Sequence, residues 1–292
     1  MSKAASLAHI CLAYAVALAV AAAWLLWGPD LALWLDALVA DLLATLVVFG
    51  FSRYHHNSSF YDAYWSVVPP LLAVYWWAAG PLGADDVRPW LVTTVVVVWA
   101  VRLTANWVHG WPGLAHEDWR YPILREKAGR AELLADLFGI HLFPTLQVFL
   151  GMLPVYVAVT VAGRDLGWLD VVAFALGIGA VTLELVADTQ MHRFVRDRQP
   201  GQVMDQGLWG WSRHPNYLGE IGFWLALALF GVSTVPTDAW WLFVGVVCMV
   251  AMFLGASIPM MEERSLERRP GYQDVIDRVP RLLPRPPRRR AA

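Results

Sequence analysis

The sequence has only two cysteines, and this scarcity already excludes some classes of protein. Cys11 and Cys248 lie far apart, each inside an apolar run. A domain held together by disulfides, or a zinc site made of thiolates, needs several cysteines at close spacing. Neither is indicated here, and we interpret both cysteines as packing residues.

Charge is also scarce, because only 16% of the 292 residues are charged whereas 58% are hydrophobic and 17 are tryptophans. With a mean hydropathy of +0.47, this composition excludes a soluble globular domain and predicts a polytopic membrane protein. The formal net charge of -2 hides an uneven distribution, since residues 278–290 are strongly basic. We expect this tail to face membrane lipids of negative charge or an anionic ligand. No nucleic-acid partner is expected.

The hydropathy pattern predicts an all-α fold, a polytopic transmembrane helix bundle of seven to eight spans. A spanning helix needs about 20 mostly apolar residues. The first candidate follows Lys3 but is longer than the apolar part of a signal peptide, so we keep it as an uncleaved span. The seventh candidate is the shortest, and the third begins with polar residues. The eight candidates are residues 4–27, 31–51, 61–80, 90–108, 137–161, 168–189, 217–233 and 240–260.

The basic residues predict how the bundle is oriented. If both termini are cytoplasmic, 19 basic residues lie on the inside, and only Arg88 and Arg164 lie outside. This asymmetry is what the positive-inside rule expects of a correct topology. The inside connections around residues 109–136 and 190–216 are long and polar, and so is the chain from residue 261. We therefore expect cytoplasmic loops that bind a soluble ligand.

Two carboxylates in the sixth span stand out, because an ionisable side chain at bilayer depth is costly unless it is paired or solvated. Glu184 and Asp188 are four residues apart and so share one face of a helix. They would orient a polar ligand or the arginines of the next loop, or they would form a structural ion pair with Arg102 or Arg213. The pattern leaves both readings open.

The segment of residues 51–70 is unusually polar for the start of a span. Asp62, Tyr61 and Tyr64 bring a carboxyl group and two phenols to one helix end. A phenol that is hydrogen-bonded to a carboxyl group can donate to a ligand carbonyl, and these residues are therefore catalytic candidates. The alternative is a helix cap and an aromatic belt at the membrane boundary. The adjacent pair His55 and His56 has no evident third ligand, so we expect no metal.

The stretch GLWGWSRHPNYLGE, residues 207–220, concentrates polar groups at the mouth of the seventh span. Pro215 fits the first turn of a helix, which predicts that this helix begins near His214. Asn216 and Glu220 then share one face, while the free N–H groups at the helix start, together with Arg213, would attract an anion. A juxtamembrane arginine touching lipid headgroups would explain Arg213 alone.

This stretch resembles the signature of the integral-membrane steroid 5-alpha-reductase family, of its bacterial branch and of the sterol double-bond reductases. The bacterial branch is a membrane family that was long uncharacterised. Further stretches support the resemblance, which extends over nearly the whole chain from about residue 50. They are NSSFYDAYWSVVPP, WAVRLTANWV, ELVADTQMHRF and PGYQDVIDRVPRLLP. The bacterial branch implies an integral protein of a bacterial inner membrane.

The resemblance implies an NADPH-dependent reduction of a carbon-carbon double bond conjugated to a ketone, in a lipid such as a 3-oxo-4-ene steroid that enters from the bilayer. Asp62 falls where the steroid reductases place a catalytic glutamate. Their second acid, a tyrosine, is here Trp99, so that Tyr61 or Tyr64 would replace it or the substrate would differ. The residues expected to bind the cofactor are Arg102, Glu184, Asp188, Arg196, Arg213, His214, Asn216, Tyr217, Glu220 and Tyr272.

A rival resemblance is to the membrane isoprenylcysteine and phospholipid methyltransferases, which are more distant relatives. These enzymes hold S-adenosylmethionine with an Arg-His-Pro-x-Tyr turn and a glutamate pair, and Glu262 with Glu263 could fill that role. They are usually shorter and lack a segment like NSSFYDAYWS. A third class, a lipid-binding or transport protein, would have a polar path across the membrane, whereas the polar groups here cluster towards the inside. We expect residues 1–60 to form N-terminal transmembrane helices and residues 61–292 a reductase-like domain with a cytoplasmic tail.

Overall fold

The computed structural model describes residues 1–237 and 239–286, and all regular structure in these two ranges is helical. This confirms the predicted all-α class. The chain divides into two compact units, Met1–Asp165 and Leu166–Ala292. The division into residues 1–60 and 61–292 rests on function and stays a prediction. The end of the predicted basic tail, residues 287–292, lies outside the described residues.

The first unit is built on antiparallel helices joined by short turns. Lys3–Trp27 packs along Leu33–Tyr54, and Tyr64–Ala79 packs against both Val87–Gly110 and Phe143–Thr160. Residues 120–160 form one continuous helical run, in which π-helical turns at Ala135–Leu142 precede its last part. In chain order the helices are α1 Lys3–Trp27, α2 Leu33–Tyr54, α3 Tyr64–Ala79, α4 Val87–Gly110, α5 Arg120–Ala128, α6 Glu132–Leu134 and α7 Phe143–Thr160.

The second unit is centred on a long helical pair, α8 and α9. A loop with one short 3-10 turn at Gly207–Gly210 connects the two helices. A further helical run, broken by π-helical turns at Phe253–Ser257, follows the pair and carries the chain towards its C-terminal end. The helices are α8 Trp168–Asp197, α9 Pro215–Thr234, α10 Val244–Met252, α11 Ile258–Arg268 and α12 Tyr272–Arg278.

Seven helical runs of the described residues are long and apolar enough to cross a membrane, and they confirm seven of the eight predicted spans. The exception is the third, which forms α3 with only 16 residues. At about 1.5 Å per residue such a helix is about 24 Å long, whereas the hydrocarbon core of a bilayer is about 30 Å thick. The structure therefore supports the lower end of the predicted seven to eight spans. Since the inside and outside assignment depends on this count, the orientation stays a prediction.

Helix α3 is short because the polar residues before it fold into their own turn. Asn57 caps a 3-10 turn over Ser58–Phe60, where its side-chain Oδ1 accepts a hydrogen bond from the Ser59 main-chain N–H at 2.9 Å. The alternative reading of this segment as a cap at the start of the span is therefore wrong for α3, whose N-cap is Ala63 and has no side-chain cap, and Asn57 caps the 3-10 turn instead. The turn places Asp62 just before the first residue of α3, Tyr64.

Small residues allow α8 and α9 to approach closely. The buried face of α8 includes Ala173, Gly177 and Ala180 at helical spacing. Opposite them, a β-carbon at Gly219 would lie 2.4 Å from Cγ of Glu184 and 2.8 Å from the main-chain oxygen of Ala180. Contacts this short leave no room for any side chain. Glycine at this position therefore sets the distance between the two helices.

We expect Gly219→Ala to destabilise the second unit, because the added methyl group meets main-chain atoms that cannot rotate away. Overpacking of this kind typically costs about 1–3 kcal/mol. The measurement is the thermal unfolding midpoint of purified protein in detergent. Gly179→Ala on α8, the partner helix of α9, is the matched control, because nothing lies within 4 Å of its β-carbon position and alanine favours a helix. Equal midpoints for the two variants would contradict close packing at Gly219.

Candidate active site and cofactor-binding residues

The loop before α3 is tied to the loop that follows α4. The side-chain amide of Asn57 donates to the main-chain oxygens of Leu114 and His116, each at 3.0 Å. The main-chain N–H of Ser58 donates to Oε1 of Glu117 at 2.7 Å. These contacts fix two polar loops side by side in the first unit. The bonded residues of the two loops are about 60 positions apart in sequence. The carboxyl group of Asp62 lies in the first of these loops.

Asp62 forms a close carboxyl-phenol pair with Tyr121, the second residue of α5. The Tyr121 hydroxyl donates to Oδ1 of Asp62 at 2.6 Å, and the Trp107 indole N–H approaches Oδ2 at 3.4 Å. Burial raises the pKa of the Asp62 carboxyl, and the nearby charge of Asp118 acts in the same direction, whereas hydrogen bonds from Tyr121 and Ser59 oppose the shift. Asp62 is therefore held in a setting that favours its neutral acid form more than water does.

The phenols of Tyr61 and Tyr64 turn away from this pair. The Tyr61 hydroxyl shares a hydrogen bond with Oγ1 of Thr145 at 2.7 Å. The Tyr64 hydroxyl donates to Oδ1 of Asp41 at 2.9 Å. Both tyrosines are buried. Asp62 does pair with a phenol, as the sequence predicts. The phenol, however, is that of Tyr121, and the prediction of Tyr61 or Tyr64 as the partner is wrong.

A buried carboxylate that the sequence analysis did not select, Asp136, holds the loops in place. Its Oδ1 accepts from the Ser58 hydroxyl at 2.7 Å, and its Oδ2 accepts from Nη1 of Arg53 at 3.0 Å. Arg125 donates to Ser58 at 3.2 Å and also pairs with Glu117. The network ties α2, the Asn57 turn and α5 together. It therefore positions both partners of the Asp62–Tyr121 pair.

Arg102 and Trp99 lie on α4, in the first unit. Trp99 is buried and makes an edge-to-face contact with Trp65, with ring centroids 5.7 Å apart. An indole N–H can donate a hydrogen bond but, unlike a phenol, cannot serve as a proton-donating acid. Arg102 is half-buried one helical turn further along.

The two adjacent histidines take up different roles. The His55 ring stacks on Phe60 at a centroid distance of 4.9 Å, and burial lowers the pKa of its imidazole. His56 has a positive φ of 51° in the turn that directly follows α2. No three His, Cys, Asp or Glu side chains in residues 1–237 and 239–286 form a group that could hold a metal ion. That the protein binds no metal stays a prediction.

In the second unit, the predicted acids lie along the α8–α9 pair. Glu184 is buried on the face of α8 that meets Gly219, and Asp188 follows one turn later, half-buried. Glu220 is buried on α9, where Oε1 accepts from the Trp224 indole N–H at 2.9 Å. Because these carboxylates share one helix pair, the unit carries a line of acidic groups suited to ribose or amide recognition.

Helix α9 begins at Pro215 with His214 as its N-cap, as predicted. The residues before it converge on Glu262 of α11. Oε1 of Glu262 accepts from Nε of Arg213 at 2.7 Å and lies 3.1 Å from Nε2 of His214. The His214 ring also stacks on Tyr217, whose ring stacks in turn on Phe253 at 4.5 Å. The signature turn is therefore anchored to the last long helical run.

Arg213 also holds the chain beyond α11. Its Nη1 donates to the main-chain oxygens of Ile276 at 2.8 Å and Val279 at 2.6 Å. These acceptors lie at the carbonyl end of α12, which a guanidinium stabilises well. Tyr272 opens the same helix, and burial, helped by the charge of Glu262, raises the pKa of its phenol to about 12. Arg213 thus positions the tail, in addition to any role towards an anion.

Two other predicted residues lie near the surface of the second unit. Arg196 is exposed and pairs with the neighbouring Asp197 through Nε at 2.7 Å and Nη2 at 2.8 Å. Asn216 is half-buried in the first turn of α9. The roles of all ten predicted cofactor-binding residues stay predictions.

The seven long apolar helices identify an integral membrane protein, and the chain is of the steroid 5-alpha-reductase-like membrane class. Within that class, residues 48–279 match the family described as "Protein of unknown function (DUF1295)", and the chain belongs to that family. The matched range includes Asp62, Tyr121 and the signature around Pro215. This agrees with the resemblance at the level of the class, whereas the bacterial branch stays a prediction.

An uncharacterised protein of the fission yeast Schizosaccharomyces pombe is similar to this chain. The two are 28% identical over 263 residues, which cover 82% of this chain and 76% of the yeast protein. No solved structure matches.

Proposed function

We propose that this protein is a membrane-embedded, NADPH-dependent reductase that reduces a carbon-carbon double bond conjugated to a ketone in an apolar lipid, such as a 3-oxo-4-ene steroid. The observation that carries the proposal is the Asp62–Tyr121 pair, with its oxygen atoms 2.6 Å apart. A ketone-polarising site needs a hydrogen-bond donor aimed at the oxygen on which negative charge develops. This pair can provide one.

The donor follows from counting protons on the pair. With Asp62 neutral, the two side chains carry two O–H protons between them. One proton makes the hydrogen bond within the pair, and the other is left to donate to a carbonyl oxygen. The raised pKa of Asp62 favours this state, and the Trp107 indole N–H near Oδ2 steadies the carboxyl group. A neutral carboxylic acid kept as a donor is an established way to stabilise an enolate-like charge.

NADPH, when bound, would supply the hydride that adds to the β-carbon of the double bond. The residues of this chain that fit it best are the carboxylates of the α8–α9 pair, Glu184, Asp188 and Glu220, with the polar start of α9. Buried acids here can accept hydrogen bonds from ribose hydroxyls or a carboxamide. The exposed bundle faces, which carry large apolar side chains such as Leu71, Val101 and Leu185, suit a substrate that enters from the bilayer.

The basic loops and tail also support an orientation with both termini in the cytoplasm, where NADPH is available. Together with the resemblance to the bacterial branch, this favours a bacterial inner membrane as the location.

A second candidate is an S-adenosylmethionine-dependent membrane methyltransferase. The specific observation in its favour is the contact of Arg213 and His214 with Glu262, because the rival resemblance assigns these same residues to the S-adenosylmethionine site. In this structure Glu262 is occupied by Arg213 and His214, and Glu263 is exposed. A glutamate already bonded to two basic side chains is less suited to bind an amino group, and we rank this candidate second.

Ligand binding separates the two candidates directly. We expect NADPH to raise the thermal unfolding midpoint of the detergent-purified protein, because a ligand that binds only the folded state stabilises it by mass action. S-adenosylmethionine at the same concentration is expected to leave the midpoint unchanged. Stabilisation by S-adenosylmethionine alone would replace the reductase proposal with the methyltransferase.

A further inference from the structure

An open pocket of about 700 Å³ lies between the last turns of α8 and the loop of residues 199–207, wholly within the second unit. The pocket is lined by both basic and apolar side chains. These include Arg193 and Arg198 on one hand and Phe194 and Met204 on the other. A planar ring and an anionic group of one ligand could therefore both be accommodated.

The acidic residues of the lining are neutralised by other side chains. Asp197 accepts two hydrogen bonds from Arg196, and Asp205 pairs with Arg278 at 3.0 Å. In contrast, Arg193 and Arg198 form no ion pair with any residue that the structure describes. Because the two aspartates are already paired, Arg193 and Arg198 leave the pocket with a net positive charge, which favours an anion.

A further arginine adds to this positive charge. Burial lowers the pKa of the Arg269 guanidinium, and the charges of Arg198 and Arg268 lower it further. Arg198 is therefore close enough to Arg269 for the two cations to repel each other. A bound dianion would relieve that repulsion, since each guanidinium presents several donors in a fork that matches phosphate oxygens.

The loop is held in shape without any ligand contact. Oε1 of Gln190 accepts from the main-chain N–H of Leu208 at 2.9 Å. Gly207 has a φ of +57°, and a β-carbon there would lie 2.6 Å from Oε1 of Gln190, so this position requires glycine. The Asp205–Arg278 pair ties the same loop to α12. The pocket is thus preformed, which lowers the cost of binding.

We propose that this pocket binds the ribose 2′-phosphate of a soluble nucleotide through Arg193 and Arg198. The identity of the nucleotide rests on the proposed function. The nucleotide would then be NADPH, and the pocket would hold the ribose 2′-phosphate that distinguishes NADPH from NADH. Arg196, one of the residues predicted to bind the cofactor, does not line the pocket, whereas Arg193 and Arg198 on either side of it do.

The test compares two small probes on the full-length protein in detergent by isothermal titration calorimetry. We expect adenosine 2′,5′-bisphosphate to bind more tightly than adenosine 5′-monophosphate, which lacks the 2′-phosphate. The double variant Arg193→Gln/Arg198→Gln is expected to weaken binding of the bisphosphate by about tenfold or more, as for loss of charge-assisted hydrogen bonds. Binding of the monophosphate should change little. The control Arg130→Gln/Arg164→Gln removes the same number of charges at exposed positions of the first unit and should leave both affinities unchanged.

Three results would overturn the proposal. They are equal binding of the two probes by the unaltered protein, unchanged binding of the bisphosphate by the double variant, and an equal loss in the control variant. A further titration uses a short-chain phosphatidic acid, which also carries a phosphate monoester. If it binds more tightly than the bisphosphate and is lost in the same variant, the pocket holds a lipid headgroup and the nucleotide assignment is wrong.

The enzymatic proposal can fail separately. Specific bisphosphate binding without reduction of an enone would leave the pocket assigned and the reductase function refuted. Conversely, the double variant could reduce the enone with the same preference for NADPH over NADH as the unaltered protein. That result would support the reductase function and refute the assignment of the pocket.

Discussion

Replacing Tyr121 by phenylalanine is expected to lower the turnover of enone reduction about 10²- to 10³-fold, the usual cost of losing one donor to a developing oxyanion. Phenylalanine keeps the ring and its packing but removes the hydroxyl that pairs with Asp62 at 2.6 Å. The loss should fall on kcat, and NADPH binding should persist. Asp62→Asn should behave in the same way, because the amide can hydrogen-bond but is not an acid. The assay is product formation with NADPH and a simple 3-oxo-4-ene steroid.

The two tyrosines nearest to Asp62 in sequence are the matched controls for this prediction. Tyr61→Phe and Tyr64→Phe each remove a buried hydroxyl whose partner is Thr145 or Asp41. We expect both variants to retain turnover within a few-fold while losing some stability, since a net hydrogen bond is worth about 1 kcal/mol. If turnover falls in Tyr61→Phe or Tyr64→Phe but survives in Tyr121→Phe, the catalytic phenol is not Tyr121.

The pH profile gives the same prediction a second readout. The proposed donation to the ketone requires that Asp62 be protonated. Burial raises the pKa of this carboxyl group. Turnover should therefore be fully present below that pKa and fall as the pH rises through it. Asp62→Asn has no carboxyl proton to lose, so its residual turnover should lack this fall.

Removing the Glu262 carboxylate is expected to destabilise the second unit strongly. In Glu262→Ala the guanidinium of Arg213 loses its ionic partner while it remains buried, and such a change typically costs about 3–5 kcal/mol. The side chains of Arg213 and Glu262 are only 7% and 10% exposed, so water cannot easily replace the lost contact. The expected result is a large drop in the thermal unfolding midpoint in detergent.

Two comparisons isolate the cause of that drop. Glu263→Ala, one residue further along, removes an exposed carboxylate and should leave the midpoint nearly unchanged. Arg213→Met/Glu262→Met removes both charges and should be more stable than Glu262→Ala, because no unpaired buried charge remains. Equal midpoints for Glu262→Ala and Glu263→Ala would contradict a structural ion pair.

Local signals in the sequence predicted much of this fold correctly. Pro215 marks the first helical residue of α9 because its missing N–H and fixed φ suit that position. Long apolar runs located seven helices that are long and apolar enough to span a membrane, since a spanning backbone must satisfy its own hydrogen bonds within a helix. The shortness of α3 has a local cause too. The polar residues from Asn57 to Tyr61 form a separate turn, and apolar content alone does not reveal where that turn ends.

The partners within the site are long-range and could not be read from one sequence. Asp62 was selected because the chain is unusually polar at the start of the third predicted span, but Tyr121 lies 59 residues away. Similarly, Arg213 stands out in its signature, whereas Glu262 is 49 residues distant and has a glutamate beside it with an equal claim. Which of two neighbouring acids is buried depends on helix rotation. Asp136 escaped notice because its role appears only once four chain segments are packed together.

Hydride tracing is the sharpest test of whether the protein reduces a conjugated double bond. Purified protein would be incubated with NADPH deuterated at its hydride position and a 3-oxo-4-ene steroid, and the product examined by mass spectrometry. We expect a saturated ketone with one deuterium at the former β-carbon, at a yield that falls at least about 100-fold in Tyr121→Phe. Unreduced steroid from stable, NADPH-bound protein, or reduction that does not depend on the Tyr121 hydroxyl, would contradict it.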